Sequence, residues 1–133
     1  MMNPASVSIL IIDDNLISLK LMRVLLASEG YQVQTAVDAE SALELLKTYK
    51  PKLILTDLQL PGMDGLAMTR LIKADPETKH IVVVAVTAYA MKGDEQKAKL
   101  AGCVAFITKP IDTNALPILV AGYLKDAGSS KKA

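Results

Sequence analysis

Residues 53–65 read LILTDLQLPGMDG. Leu53, Ile54 and Leu55 are consecutive apolar residues, Thr56 and Asp57 follow at once, and Pro61, Gly62 and Gly65 mark a turn into a new element. A strand that is apolar without alternation is buried on both faces, as strands of parallel α/β sheets are. This stretch therefore places the chain in the α/β class, and it leaves a carboxylate, Asp57, at the tip of a core strand.

The same grammar repeats on either side. Residues 7–12 form a first apolar strand, followed by helical periodicity over 15–28 that Gly30 terminates. Residues 31–36 read as a second strand, and Asp38 can cap a helix that runs to about residue 49, ahead of Pro51. After the third strand (52–56), a helix over 65–74 is closed by Asp75-Pro76. A fourth strand (81–86), a helix over 91–101 ending at Gly102, a fifth strand (104–107) and a helix over 112–125 complete five strand–helix units. Pro117 requires that last helix to begin late, so that the proline falls in its first turn. The first, third and fourth strands are the most apolar and should be central.

The 133 residues suit one domain, with residues 1–6 as an extension and 126–133 as a flexible tail around a folded unit over 7–125. With 51% hydrophobic and 22% charged residues and a formal net charge of +1, nothing draws the chain to nucleic acid or an anionic membrane. A single cysteine, Cys103, rules out an internal disulfide and a cysteine-built zinc cage, and reads as a small buried hydrophobe. No apolar run approaches the roughly 20 residues of a membrane span, and the N-terminus lacks the pattern of a signal peptide. A cytoplasmic protein is expected.

In an open parallel sheet, ligands bind beyond the carboxyl ends of the strands. Asp13 and Asp14 follow the first strand, Asp57 the third, Thr87 the fourth, and Thr108 and Lys109 the fifth. Any one of these is an ordinary turn residue. Together they put three carboxylates, a hydroxyl and an amine at one edge. Crowded carboxylates need a cation, and an all-oxygen set selects a hard ion, Mg²⁺ or Mn²⁺. Magnesium commonly shares its shell with a phosphate, the amine and hydroxyl suit phosphate oxygens, and an aspartate can be the nucleophile that accepts a phosphoryl group.

The segments LIIDDN, LILTDLQLPGMDG, VVAVTAYA and FITKPID, in that order, resemble the receiver domain of two-component response regulators, of the stand-alone or hybrid-kinase type. The resemblance spans roughly residues 7–125. It implies a flavodoxin-like, doubly wound sheet of five parallel strands in order 2-1-3-4-5 with five helices. Asp57 matches the phosphoacceptor. Asp13 and Asp14 match the acidic pair, Asp14 as direct metal ligand, and Gln59 matches the position that offers a backbone carbonyl to the metal. Thr87 matches the switch hydroxyl, Lys109 the phosphate-binding lysine, and Phe106 the aromatic that turns inward on activation. Lys109-Pro110 matches a cis peptide bond, and Pro61 and Gly62 the turn after Asp57. Gln59 and Tyr89 occupy positions the family leaves loose, and Tyr89 is expected to cover the water approach to the phosphoryl group. Phe106 lacks the hydroxyl that many members carry.

The resemblance implies a phosphoacceptor in two-component phosphorelay signalling rather than an enzyme acting on other substrates. Its partners would be a histidine kinase or histidine phosphotransfer protein and a downstream protein target, with the chain a monomer or weak dimer. Phosphorylation would reshape the fourth helix, fifth strand and fifth helix. A helical wheel of residues 15–28 puts Ile17, Ser18, Leu21 and Leu25 toward the sheet, leaving Leu16, Leu19, Lys20 and Arg23 as a docking patch. Three rival readings fare worse. An FMN-binding flavodoxin would need a Ser/Thr- and Gly-rich loop where this chain has Asp13, Asp14 and Asn15. A haloacid-dehalogenase-type phosphatase carries its nucleophile on the first strand with a second Asp two residues on, where Asp57 here is followed by Gln59. A degenerate receiver would have lost the acceptor, an acid or the lysine. The sole histidine, His80, precedes the fourth strand in a polar loop and reads as a solvated residue.

Overall fold

The computed structural model describes residues 7–88 and 92–130. Tyr89 and the segments 1–6 and 131–133 lie outside the described residues. The elements alternate strictly: β1 (Ser8–Ile12), α1 (Leu16–Ser28), β2 (Gln32–Ala36), α2 (Ala39–Leu45), β3 (Leu53–Thr56), α3 (Gly65–Ala74), β4 (Val82–Thr87), α4 (Asp94–Ala101), β5 (Ala105–Thr108) and α5 (Ala115–Ser130). All neighbouring strands pair in parallel, in the order β2-β1-β3-β4-β5. This is the doubly wound sheet that the sequence implies, with β1, β3 and β4 central.

Alternate residues of each strand feed two cores. Leu10, Ile12, Ile54, Val83 and Ala85 face α2, α3 and α4, against Ala42, Met68, Ile72 and Ala98. Ile9, Ile11, Leu53, Leu55, Val84 and Val86 face α1 and α5, against Leu19, Met22, Leu26, Leu116, Val120 and Leu124. Every residue of β3 and β4 is buried, which is why those strands read as unbroken apolar runs. The edge strands β2 and β5 are partly exposed and correspondingly more polar or mixed.

Local signals account for most boundaries. Asn15 caps α1, its Oδ1 accepting the amides of Ile17 and Ser18 at 3.0 Å each, and Gly30 (φ 98°) follows its C-terminal end. Asp38 caps α2 and Asp64 caps α3. Pro117 lies in the first turn of α5, where its missing N–H costs nothing.

Three expectations need correction. The second helix stops at Leu45 rather than near residue 49, because the amides of Lys47 and Thr48 tighten onto the carbonyls three residues back. The fifth begins at Ala115 rather than residue 112 and runs to Ser130 rather than ending at residue 125. The face assigned to α1 is wrong. Leu19 is buried (7% exposed) with Met22 and Leu26, whereas Ile17 is 83% exposed. Leucine, isoleucine, valine or methionine fills eight of the thirteen positions of α1, LISLKLMRVLLAS, so periodicity alone admits more than one phase. The sheet selects the i, i+3, i+7 set of 19, 22 and 26.

Candidate functional site

The polar strand tips converge as parallel pairing requires. The register sets Ile12 beside Thr56, Thr56 beside Ala85 and Thr87 beside Thr108, so the residues after β1, β3 and β5 share one edge. Ladder-like hydrogen bonds hold the backbone there. Asp13 N–H donates to the Ala36 carbonyl (3.1 Å), Asp57 N–H to Ile12 (2.9 Å), and Lys109 N–H to Thr87 (2.9 Å).

At the centre sits Lys109. Its Nζ donates to Asp13 Oδ2 at 2.7 Å and to Asp57 Oδ2 at 2.8 Å. The other oxygen of each carboxylate accepts a backbone amide: Asn15 N–H to Asp13 Oδ1 and Gln59 N–H to Asp57 Oδ1, both at 2.9 Å. Each acid is thus oriented by the loop that follows it. Asp13 is fully buried and Asp57 nearly so, while Asp14 is exposed. One oxygen from each of Asp13, Asp14 and Asp57 lies within 4.8 Å of the others.

Burial pushes the Asp13 carboxyl above its ordinary value, and the hydrogen bonds from Lys109 and Asn15 offset only part of that. Burial pulls the Lys109 ammonium down, but its hydrogen bonds to Asp13 and Asp57 outweigh the pull and hold it above the usual lysine value. Three carboxylates lie together and one amine bridges two of them, so the site carries surplus negative charge. An all-oxygen donor set with one exposed member suits a hard divalent cation.

Thr87 is buried at the end of β4. Phe106, in the middle of β5, is half-buried against the α2–α3–α4 core. The Lys109-Pro110 peptide is cis. Gln59 is exposed beside Asp57. Of the docking pair expected on α1, Leu16 is 68% exposed and adjoins the acidic loop, whereas Leu19 belongs to the core.

Two positioning residues escaped the sequence reading. A Cβ on Gly65 would lie 2.4 Å from the Asp57 carbonyl oxygen and 2.8 Å from the Leu58 Cα, so only glycine lets α3 start this close to the acceptor strand. Asn15 had a visible signal as a helix cap, but its own N–H also fixes Asp13.

A chain of this fold, with this edge, belongs to the response regulator receiver domain family, which it matches over residues 9–121. Receivers of this family serve two-component signalling. Among particular relatives, the chain is 42% identical to the polar-differentiation response regulator DivK of Brucella anthropi over 120 residues, 90% of this chain and 98% of that one. The DivK of Brucella ovis shows the same identity and coverage. A CheY-like receiver from Methanospirillum hungatei superposes with a TM-score of 0.85 at 28% identity, covering 93% of this chain and 98% of the other. The receiver domain of a sensor histidine kinase from Pseudomonas aeruginosa, solved with a magnesium ion coordinated in its active-site cleft, superposes with a TM-score of 0.81 at 28% identity, covering 89% and 97%. Among the described residues, no helix is long and apolar enough to cross a membrane.

Proposed function

We propose that Asp57 is the phosphoacceptor of this receiver, taking a phosphoryl group from a phosphohistidine on a histidine kinase or histidine phosphotransfer protein. The observation that carries this reading is the bridge of Lys109 Nζ between Asp13 and Asp57, at 2.7 and 2.8 Å, on tips of three different strands. A carboxylate oxygen of Asp57 attacks phosphorus, the phosphorus–nitrogen bond breaks, and the imidazole leaves with the electron pair and takes up a proton. The structure supplies orientation and charge: Gln59 N–H holds one Asp57 oxygen, leaving the other as nucleophile once Lys109 moves to a phosphoryl oxygen.

Asp13, Asp14, Asp57 and the Gln59 carbonyl would hold Mg²⁺, which neutralises charge on the transferring group when bound. The donor set supports this, because one ammonium cannot balance three acids. The magnesium in the Pseudomonas aeruginosa receiver lends the same support from a relative. Thr87, on the strand next to Lys109, would follow the phosphoryl group, and Phe106 would repack as it does. That couples the site to α4, β5 and α5, the surface for a downstream protein target. The chain would catalyse only its own phosphorylation and dephosphorylation, as a cytoplasmic signalling unit over residues 7–125.

Docking of the phosphodonor fits the exposed side of α1. Leu16 and Ile17 stand 68% and 83% exposed immediately after the acidic loop, with Val24 half-exposed two turns on. A donor's histidine must enter over this edge, so a helical partner could seat on these side chains, with Lys20 and Arg23 as its polar rim.

The test is intact mass after incubation with acetyl phosphate and Mg²⁺. One phosphoryl group should add to the wild type and none to Asp57→Asn. Equal labelling of the two proteins overturns the assignment of Asp57, and equal labelling in excess EDTA overturns the metal.

A further inference from the structure

The loop after Asp57 is closed at its base, where Gly65 N–H donates to the Leu58 carbonyl at 2.9 Å. Its far end, Gly62 and Met63, has a different anchor. Glu40, in the first turn of α2, accepts the Met63 N–H on Oε2 at 3.1 Å. The same carboxylate lies flat against Gly62, where a Cβ would meet Oε2 at 3.0 Å and Oε1 at 3.4 Å, and where the backbone is left-handed at φ 74°. Glu40 is itself on a rigid mount. Asp38 Oδ1 accepts the Ser41 amide at 2.7 Å, fixing the start of α2, and the β2 end that feeds it is tied to Asp13 through the Ala36 carbonyl. The contact therefore closes a ring: Asp13, the end of β2, the start of α2, the tip of the β3–α3 loop, and back to Asp57.

We propose that Glu40 is a positioning residue for the cation site. By holding the loop tip it fixes the segment whose Gln59 carbonyl would serve the cation, and its own carboxylate is engaged with Met63 N–H rather than with the acidic cluster. This rests on the metal reading of the preceding subsection. The charge of Glu40 and its role as acceptor are separable. Glu40→Gln removes the charge and keeps an acceptor for Met63 N–H, whereas Glu40→Ala removes both.

Calorimetric titration of the full chain with Mg²⁺ tests the idea, with amide hydrogen exchange followed in parallel. In Glu40→Ala, Met63 should lose exchange protection while β1 and β3 keep theirs, and Mg²⁺ affinity should fall about three- to tenfold, the weight of one charge-assisted hydrogen bond at an exposed position. Glu40→Gln should return affinity to within about twofold of wild type. Wild-type affinity in Glu40→Ala overturns the proposal. Equal losses in both variants also overturn it, since the effect is then long-range charge. Should β1 and β3 lose protection in Glu40→Ala, Glu40→Gln decides alone: restored affinity supports positioning, and weakened affinity refutes it. A wild-type chain that takes no Mg²⁺ defeats the metal reading itself, a result distinct from all of these.

Discussion

Lys109→Met probes the charge balance of the site most directly. Methionine keeps the unbranched stem of the side chain out to the ε position and deletes the ammonium. Among the described residues, Lys109 is the cation within ion-pair distance of Asp13 and Asp57, whose side chains are 0% and 8% exposed, and its own is 11% exposed. Deleting one partner of a buried ion pair typically costs about 3–5 kcal/mol, because the remaining charge is left uncompensated. Here some solvent reaches the edge and Asn15 and Gln59 amides still serve the carboxylates, so a loss of roughly 3 kcal/mol at neutral pH is expected. With a urea slope near 2 kcal/mol/M, that moves the unfolding midpoint down by about 1.5 M in EDTA. Millimolar Mg²⁺ should recover much of the deficit by replacing the missing positive charge. The pH dependence has a definite sign. In the variant Asp13 loses the Lys109 hydrogen bond and charge that partly offset its burial, so its folded value rises further and the deficit shrinks as pH falls and it protonates. In the wild type, the raised folded value of Lys109 means its contribution is whole below the ordinary lysine range and is lost as pH rises through the folded value. The alkaline loss should vanish in Lys109→Met. Equal urea midpoints for wild type and variant in EDTA, or a deficit that grows toward acid, would refute this account.

Gly65→Ala forces a Cβ onto the Asp57 carbonyl and should destabilise the chain by about 1–3 kcal/mol, read as a fall in melting temperature, with phosphorylation by acetyl phosphate impaired in the surviving folded fraction. Leu19→Ser should cost about 2–5 kcal/mol in urea unfolding, because the side chain is core, while Ile17→Ser should stay within about 0.5 kcal/mol. The Leu16→Ser, Ile17→Ser pair should slow transfer from a phosphohistidine donor and leave labelling by acetyl phosphate unchanged; parallel loss of both would place these residues in the fold. Beryllofluoride with Mg²⁺ should shift amide resonances in α4, β5 and α5 as well as around Asp57, and shifts confined to the loops beside Asp57 would argue against a Thr87–Phe106 switch.

Local physics made much of this protein readable from its sequence. Unbroken runs such as residues 82–86 read as strands buried on both faces, and the punctuation by Gly30, Asp38 and Pro117 marked helix ends through caps and missing donors. Once the strands are parallel, Asp13, Asp57 and Lys109 share one edge, and the strand order with the reach of the lysine side chain brings them together. What needed the tertiary structure were properties that depend on which surface packs against which. Apolar residues occupy both sides of α1, so only the sheet beneath it decides that Leu19 is core and Ile17 is exposed. Similarly, the requirement for glycine at 65 arises from the Asp57 carbonyl 2.4 Å from its missing Cβ, and the anchoring of Met63 by Glu40 joins residues 23 positions apart. Side-chain type and short-range spacing carry capping, burial and strand-tip chemistry. Helix phase and loop anchoring are set by contacts between elements, and a one-dimensional pattern with several equally apolar faces does not contain them.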